Sequence, residues 1–173
     1  MHLDPVKYTG TYEAQIIYQV CDTIVNYDQE LAEITSNIAT SWDIVDETTY
    51  IFEIRDDVWF HPGKYVGPEG RLMTAEDVAY SLNRTATESA LDRLDMLDYA
   101  EVVDATHVKC VLKSPTSTFL TALTNAGNVV VPKEEVEGWG DEFGTHLVGT
   151  GPFIMDSFEL DNQAVLLDLG GIH

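Results

Sequence analysis

Between Trp42 and Leu82 the apolar positions change period. In Thr49-Tyr50-Ile51-Phe52-Glu53-Ile54-Arg55, the residues Tyr50, Phe52 and Ile54 fall on one face and Ile51, Glu53 and Arg55 on the other. A period of two predicts a half-buried strand. The polar turn Asp46-Glu47-Thr48 joins it to Trp42-Asp43-Ile44-Val45, which predicts a hairpin. Val58-Trp59-Phe60-His61 then carries aromatic mass into a Pro62-Gly63 turn, and residues 63–70 are a loop by composition. From Thr74 the period is helical, with Ala75, Val78, Ala79 and Leu82 on one face. Thr74 and Asp77 have the spacing of a capping box, with Asp in place of the usual Glu or Gln.

The flanking segments read in the same way. Leu3-Asp4-Pro5 is extended, and Thr9-Gly10-Thr11 precedes a helix over 12–20 with Ile16, Ile17 and Val20 on one face. Residues 24–28 form a short strand and 31–41 an irregular link. A second short helix is predicted over 90–97. A hairpin follows around Asp104-Ala105, with Cys110 inward beside Val108 and Leu112. Pro115 stops the second strand, because it lacks the N–H that a ladder needs. A helix with Phe119, Leu120 and Leu123 inward then runs to Asn125-Ala126-Gly127-Asn128. Val129-Val130-Val131 reads as an apolar strand, 133–137 as a helical turn and 138–144 as a loop anchored by aromatics. Strands are predicted from Phe153 toward Phe158 and over 163–169. The interleaving defines an α/β chain (mixed α+β) with a mixed sheet and flanking helices.

The succession Ile38-Ala39-Thr40-Ser41-Trp42, Tyr50-Ile51-Phe52-Glu53-Ile54-Arg55, Trp59-Phe60-His61 and Thr74-Ala75-Glu76-Asp77-Val78 with Tyr80-Ser81 and Arg84 resembles a known family. It is similar to the extracellular solute-binding proteins of the dipeptide/oligopeptide type, the capture subunits of ABC importers. Pro115 with Phe119-Leu120, and Val148-Gly149-Thr150-Gly151-Pro152-Phe153, extend the resemblance from Leu3 to about Leu167. Members of that family are a few times longer. The resemblance therefore implies the N-terminal part of one, and Gly170-Gly171-Ile172-His173 does not read as a natural domain end. The loop over 63–70 resembles an insertion of the dipeptide-binding branch.

The resemblance implies a periplasmic-binding-protein type II-like fragment. Residues 1–27 would be the opening part of the large lobe, 28–147 a small sub-lobe, and 148–173 the return into the large lobe. It implies a solute-binding component of an importer, for di- or oligopeptides, with this chain as one wall of the ligand cleft. Its partners would be a peptide or other small solute and a membrane permease. Its place would be extracytoplasmic, periplasmic or anchored at the cell surface. Met1-His2-Leu3-Asp4 has neither the basic start nor the apolar stretch of a signal peptide, so export implies a removed leader or lipid anchor. Two other readings stay open: a ligand-sensing or receptor-docking lobe of the same fold, and an acidic hydrolase.

Three stretches are candidates for ligand contact. Tyr8, Thr9, Gly10, Thr11 and Tyr12 offer hydroxyls and closely approaching backbone; the alternative is a polar helix-start loop with Tyr12 packed on the core. Tyr80 either faces the cleft or packs on the sheet. Gly149-Thr150-Gly151 is neither a Walker loop, because no GK[ST] follows, nor a dinucleotide fingerprint. It either faces ligand or serves as a tight structural crossing. By resemblance, the groups that pair with peptide termini lie largely in the other lobe.

Composition narrows the choices. The chain has 173 residues, 45% of them hydrophobic, too apolar for wholesale disorder. Thirty acidic residues against nine basic ones give a formal charge of −21, which argues against nucleic acid and anionic membrane surfaces as partners. The charge fits a solvated surface or adaptation to high salt. No apolar run approaches the ~20 residues of a bilayer span, so no direct membrane insertion is expected. Cys21 and Cys110 lie far apart, without a CxxC partner, and the five histidines are scattered. No GxSxG or HExxH motif is present. No catalytic residue, metal site or cofactor is assigned.

Overall fold

The fold is described from a computed structural model, which defines residues 2–159 and 162–169. The closing Gly170-Gly171-Ile172-His173 lies outside the described residues. Helix α1 (Thr11–Val20) leads through a short pair, β1 (Val25–Tyr27) and β2 (Ile34–Ser36), into the predicted hairpin β3 (Ala39–Ile44) and β4 (Thr49–Ile54). A two-residue ribbon, β5 (Trp59–Phe60) and β6 (Arg71–Leu72), brackets the 63–70 loop and delivers the chain to α2 (Ala75–Glu88). The second hairpin is β7 (Leu97–Asp104) and β8 (His107–Leu112). After α3 (Phe119–Ala122) and α4 (Lys133–Trp139) the chain ends in β9 (Phe153–Glu159) and β10 (Gln163–Asp168).

The central sheet has the order β3-β4-β8-β7. Every ladder among the described residues is antiparallel rather than mixed. Short turns dictate this within the β3–β4 and β7–β8 hairpins, since a parallel pair needs a long crossover, and the two hairpins meet antiparallel through β4 and β8. Register sets Phe52 opposite Val108 and Tyr50 opposite Cys110, so the alternating apolar face of both hairpins is one surface. Tyr50, Phe52, Ile54, Val108, Cys110 and Leu112 are all buried there. Ala75, Val78, Ala79 and Leu82 of α2 join them in one core, with Phe119 and Leu123.

Helix α2 begins as its sequence requires. The Thr74 N–H donates to Asp77 Oδ2 at 2.9 Å, the reciprocal arm of a capping box. Arg71 grips the same carboxylate through two nitrogens at 2.7 Å and reaches Glu134 on α4 as well, tying β6, α2 and α4 together. A second core forms around α1, from Leu3, Tyr8, Ile17, Val20 and Cys21 against Val129, Val131, Val136, Phe143 and Leu147.

Four sequence expectations need correction. Residues 90–97 form turns, not a helix: Asp92 has φ 49°, a left-handed conformation that stops helical propagation, and β7 already begins at Leu97. Val129-Val130-Val131 is not a strand of a sheet; only Val129 makes an isolated bridge, to Thr23. It is wholly apolar because it runs between the two cores, with Val130 in the first and Val129 and Val131 in the second. Its N–H groups are satisfied outside any ladder: Val130 N donates to the Asp22 carbonyl at 3.0 Å, and Val131 N to Ser81 Oγ at 3.0 Å. The 31–41 link contains β2, which pairs with β1, and the first strand of the sheet starts at Ala39 rather than Trp42. The helical turn after Pro132 extends to Trp139, followed by a 3-10 turn over Gly140–Thr145.

Candidate functional site

Leu3-Asp4-Pro5 is anchored before it can present anything. The Asp4 carboxylate, fully buried, accepts two hydrogen bonds from Arg84 at 2.8 and 2.7 Å. The backbone carbonyl of Asp4 then accepts from Lys7 and Tyr8, winding the chain toward α1. Tyr8 faces inward. Its hydroxyl donates to Asn125 Oδ1 at 3.0 Å, and Arg93 Cζ sits 3.8 Å above its ring. Arg93 Nη2 also donates to the Tyr8 carbonyl at 2.7 Å. Burial raises the Tyr8 pKa, against the opposing effect of Arg93, so its hydroxyl stays a neutral donor. The expected ligand-facing hydroxyl of Tyr8 is therefore engaged within the protein.

The next residues differ. Thr9 and Thr11 are exposed, Gly10 is half-buried, and Tyr12 is 78% exposed rather than packed on the core. Gly10 is the N-cap of α1 and supplies no side-chain cap, which leaves the positive end of that helix open. Thr9 to Tyr12 thus forms a projecting rim, held from behind by Tyr8, Arg93 and Asn125.

Gly149-Thr150-Gly151 lies at the other end of α1, about 15 Å away by helical rise. A Cβ on Gly149 would stand 2.5 Å from Cys21 Sγ, and one on Gly151 would stand 2.7 Å from the Gln19 carbonyl. Both glycines are needed for this approach to the end of α1. Gly151 N donates to the Val20 carbonyl at 2.9 Å and Thr150 Oγ1 to Asp22 Oδ2 at 2.9 Å. From the far side, His61 N donates to the Gly149 carbonyl at 2.9 Å. His61 Nε2 lies 2.7 Å from the Gly151 carbonyl, which fixes Nε2 as the protonated nitrogen. The three residues are buried and form a backbone crossing pinned on both sides.

Tyr80 is half-buried against the second core, with Lys133 Nζ 5.7 Å from its ring, and burial raises its pKa. The candidates are therefore not one cluster. Beside the crossing is a pocket of about 150 Å³ lined by His61, Gly63, Lys64, Glu135, Trp139 and His146 among others. Glu135, fully buried there, accepts from Val66 N and Trp139 Nε1 at 2.8 Å each. Among the described residues, no group of His, Cys, Asp and Glu has the geometry of a metal site, and no helix is long and apolar enough to cross a membrane.

Arg93, Asn125, Asp22 and Glu135 were not legible as site residues. Gly127 was the available signal: a Cβ there would strike Arg93 Cδ, so that glycine marks where the guanidinium must pass.

The α/β fold, an antiparallel central sheet with flanking helices, is that of type II periplasmic binding proteins. The chain is similar to the MoaA binding protein of A. tumefaciens R10, solved with mannopinic acid: TM-score 0.86, 25% identity, 97% of this chain and 34% of that one. It is also similar to the periplasmic binding protein DppA of Helicobacter pylori, solved with the peptide STSA: TM-score 0.85, 25% identity, 97% and 37% coverage.

Residues 33–168 match the family described as "Bacterial extracellular solute-binding proteins, family 5 Middle", and the chain belongs to that family. Among curated relatives, Di/tripeptide-binding protein 2 of Pseudomonas aeruginosa (strain UCBPP-PA14) is 27% identical over 183 residues, covering 92% of this chain and 34% of that protein. The glutathione-binding protein GsiB of Shigella flexneri is 27% identical over 160 residues, covering 90% and 30%. The chain thus spans about a third of the length of the curated relatives it matches.

Proposed function

We propose that this chain is one wall of the ligand cleft in the solute-capture component of an ABC importer for di- or oligopeptides. Membership of the solute-binding family across residues 33–168 carries this reading. The relatives named for di- and tripeptides and for glutathione favour a peptide-like solute. A relative solved with mannopinic acid marks the wider range of ligands on this scaffold. Residues 1–27 open the large lobe, 28–147 build the smaller one, and 148–173 return to the large lobe. The partner is a membrane permease, and the setting is extracytoplasmic.

The work divides by rigidity. Thr9 to Tyr12 offers hydroxyls, an aromatic face and free helix N–H groups to the solute. The Gly149 to Gly151 crossing is pinned by His61 and Asp22 and serves as a fixed strut between lobes, so closure on ligand is a hinge motion that rotates about it. Thr150 supports the cleft through Asp22, and Tyr80 packs beneath α4 rather than touching solute.

Native mass spectrometry of the natural protein purified from its source tests the reading. A co-purifying mass that fragments as a peptide is the expected result. A non-peptide mass overturns the substrate and keeps the importer role. A protein without bound solute that associates with a membrane receptor overturns the importer role.

A further inference from the structure

We propose that Glu13 selects for a positively charged group on the solute, so that basic ligands bind in preference to neutral ones of equal size. The inference rests on the reading that Thr9 to Tyr12 lines the ligand cleft.

Glu13 is only 9% exposed, yet among the described residues its carboxylate makes no hydrogen bond and no ion pair. A side chain packed this far with no partner for its carboxylate leaves that group available to a ligand. Its oxygens are not sealed, since neither is among the unpartnered polar atoms cut off from solvent. The stem is therefore packed, and the exposure that remains includes the oxygens. The same rim holds the exposed ring of Tyr12, the residue before Glu13.

The placement of Glu13 is built into the fold. The side chain folds back over Gly10, where a Cβ would run into Oε2. Gly10 has φ −111°, open to any residue, so the absent side chain serves space rather than backbone freedom. The uncapped end of α1 favours negative charge at this spot. Arg93, the cation on the neighbouring Tyr8, donates through Nη2 to the Tyr8 carbonyl and lies over the Tyr8 ring; its Nη1 is buried without a hydrogen-bond partner, and it forms no ion pair with Glu13. A cation must then come from outside the chain. The formal charge of −21 gathers cationic solutes around the protein, and Glu13 supplies the point of discrimination.

The test uses the full-length natural protein and two dipeptides of matched shape, Ala-Lys and Ala-norleucine, with affinities from isothermal titration calorimetry. Wild type is expected to prefer Ala-Lys by about tenfold or more, as one charge-assisted hydrogen bond supplies. Glu13→Gln is expected to bring the two peptides within about twofold, leaving Ala-norleucine unchanged. Gly10→Ala, which displaces the carboxylate without removing it, is expected to narrow the preference between the two peptides, whatever it does to the affinity for either. Equal wild-type affinities, or equal loss of both peptides in Glu13→Gln, overturn the assignment and leave the peptide-capture reading standing. Wild type that binds neither these dipeptides nor longer peptides overturns both.

Discussion

Replacing Phe52 by alanine tests the central packing of the molecule. Phe52 is wholly buried on β4, opposite Val108, with ring centroids of Trp42 at 6.4 Å, Tyr50 at 6.5 Å and Phe119 at 6.3 Å. Truncation removes the transfer energy of the ring and leaves a cavity that a sheet fixed on both sides cannot close. Buried Phe→Ala changes cost ~3–5 kcal/mol, and loss of three aromatic contacts places this one in the upper half of that range. In urea, with a slope of ~2 kcal/mol/M for a domain of this size, the midpoint should fall by about 2 M at unchanged slope. Ile44→Ala is the control, because Ile44 is exposed on β3 and its truncation should cost under ~0.5 kcal/mol. A Phe52→Ala loss below ~1 kcal/mol would refute the packing argument. A changed slope would show that the denatured ensemble, and not the cavity, had moved.

Three other expectations follow from named contacts. Thr74 N and Oγ1 both donate to Asp77 Oδ2, at 2.9 and 3.0 Å, so the hydroxyl is needed as a donor. Thr74→Ala should cost ~1 kcal/mol and Thr74→Ser almost nothing; equal losses from the two in thermal melts would contradict this. Arg84→Ala strands the buried Asp4 carboxylate and should cost ~3–5 kcal/mol, with the Asp4→Asn and Arg84→Ala pair costing less than the sum of the single changes; strict additivity in a double-mutant cycle would show the pair to be uncoupled. Cys21 and Cys110 are free and buried in different cores, and burial pushes the Cys110 thiol up to about 12 and raises Cys21 as well. Both should resist a thiol reagent until the chain is unfolded, and prompt labelling of either at pH 8 would show the core to be open.

The parts of this protein written in local pattern were readable without coordinates. Alternation at Tyr50, Phe52 and Ile54 and the helical face of Ala75, Val78, Ala79 and Leu82 both declare a buried side, because burial of one face is what each period means. The Thr74 and Asp77 cap was equally legible, since both partners lie within one turn. The order of these pieces was enough to point to the family and hence to the fold. What remained hidden depends on residues distant in sequence. Val129-Val130-Val131 has the composition of a strand, and only the meeting of two cores explains why it pairs with almost nothing. Tyr8 and Thr9 are equally plausible ligand contacts on paper; Arg93 and Asn125, more than eighty residues away, turn the first inward and leave the second on the rim. Gly149 and Gly151 carry the signal of close approach, but what they approach is the end of α1, more than a hundred residues earlier. Local periodicity reports which face is buried, and only the tertiary structure reports what buries it.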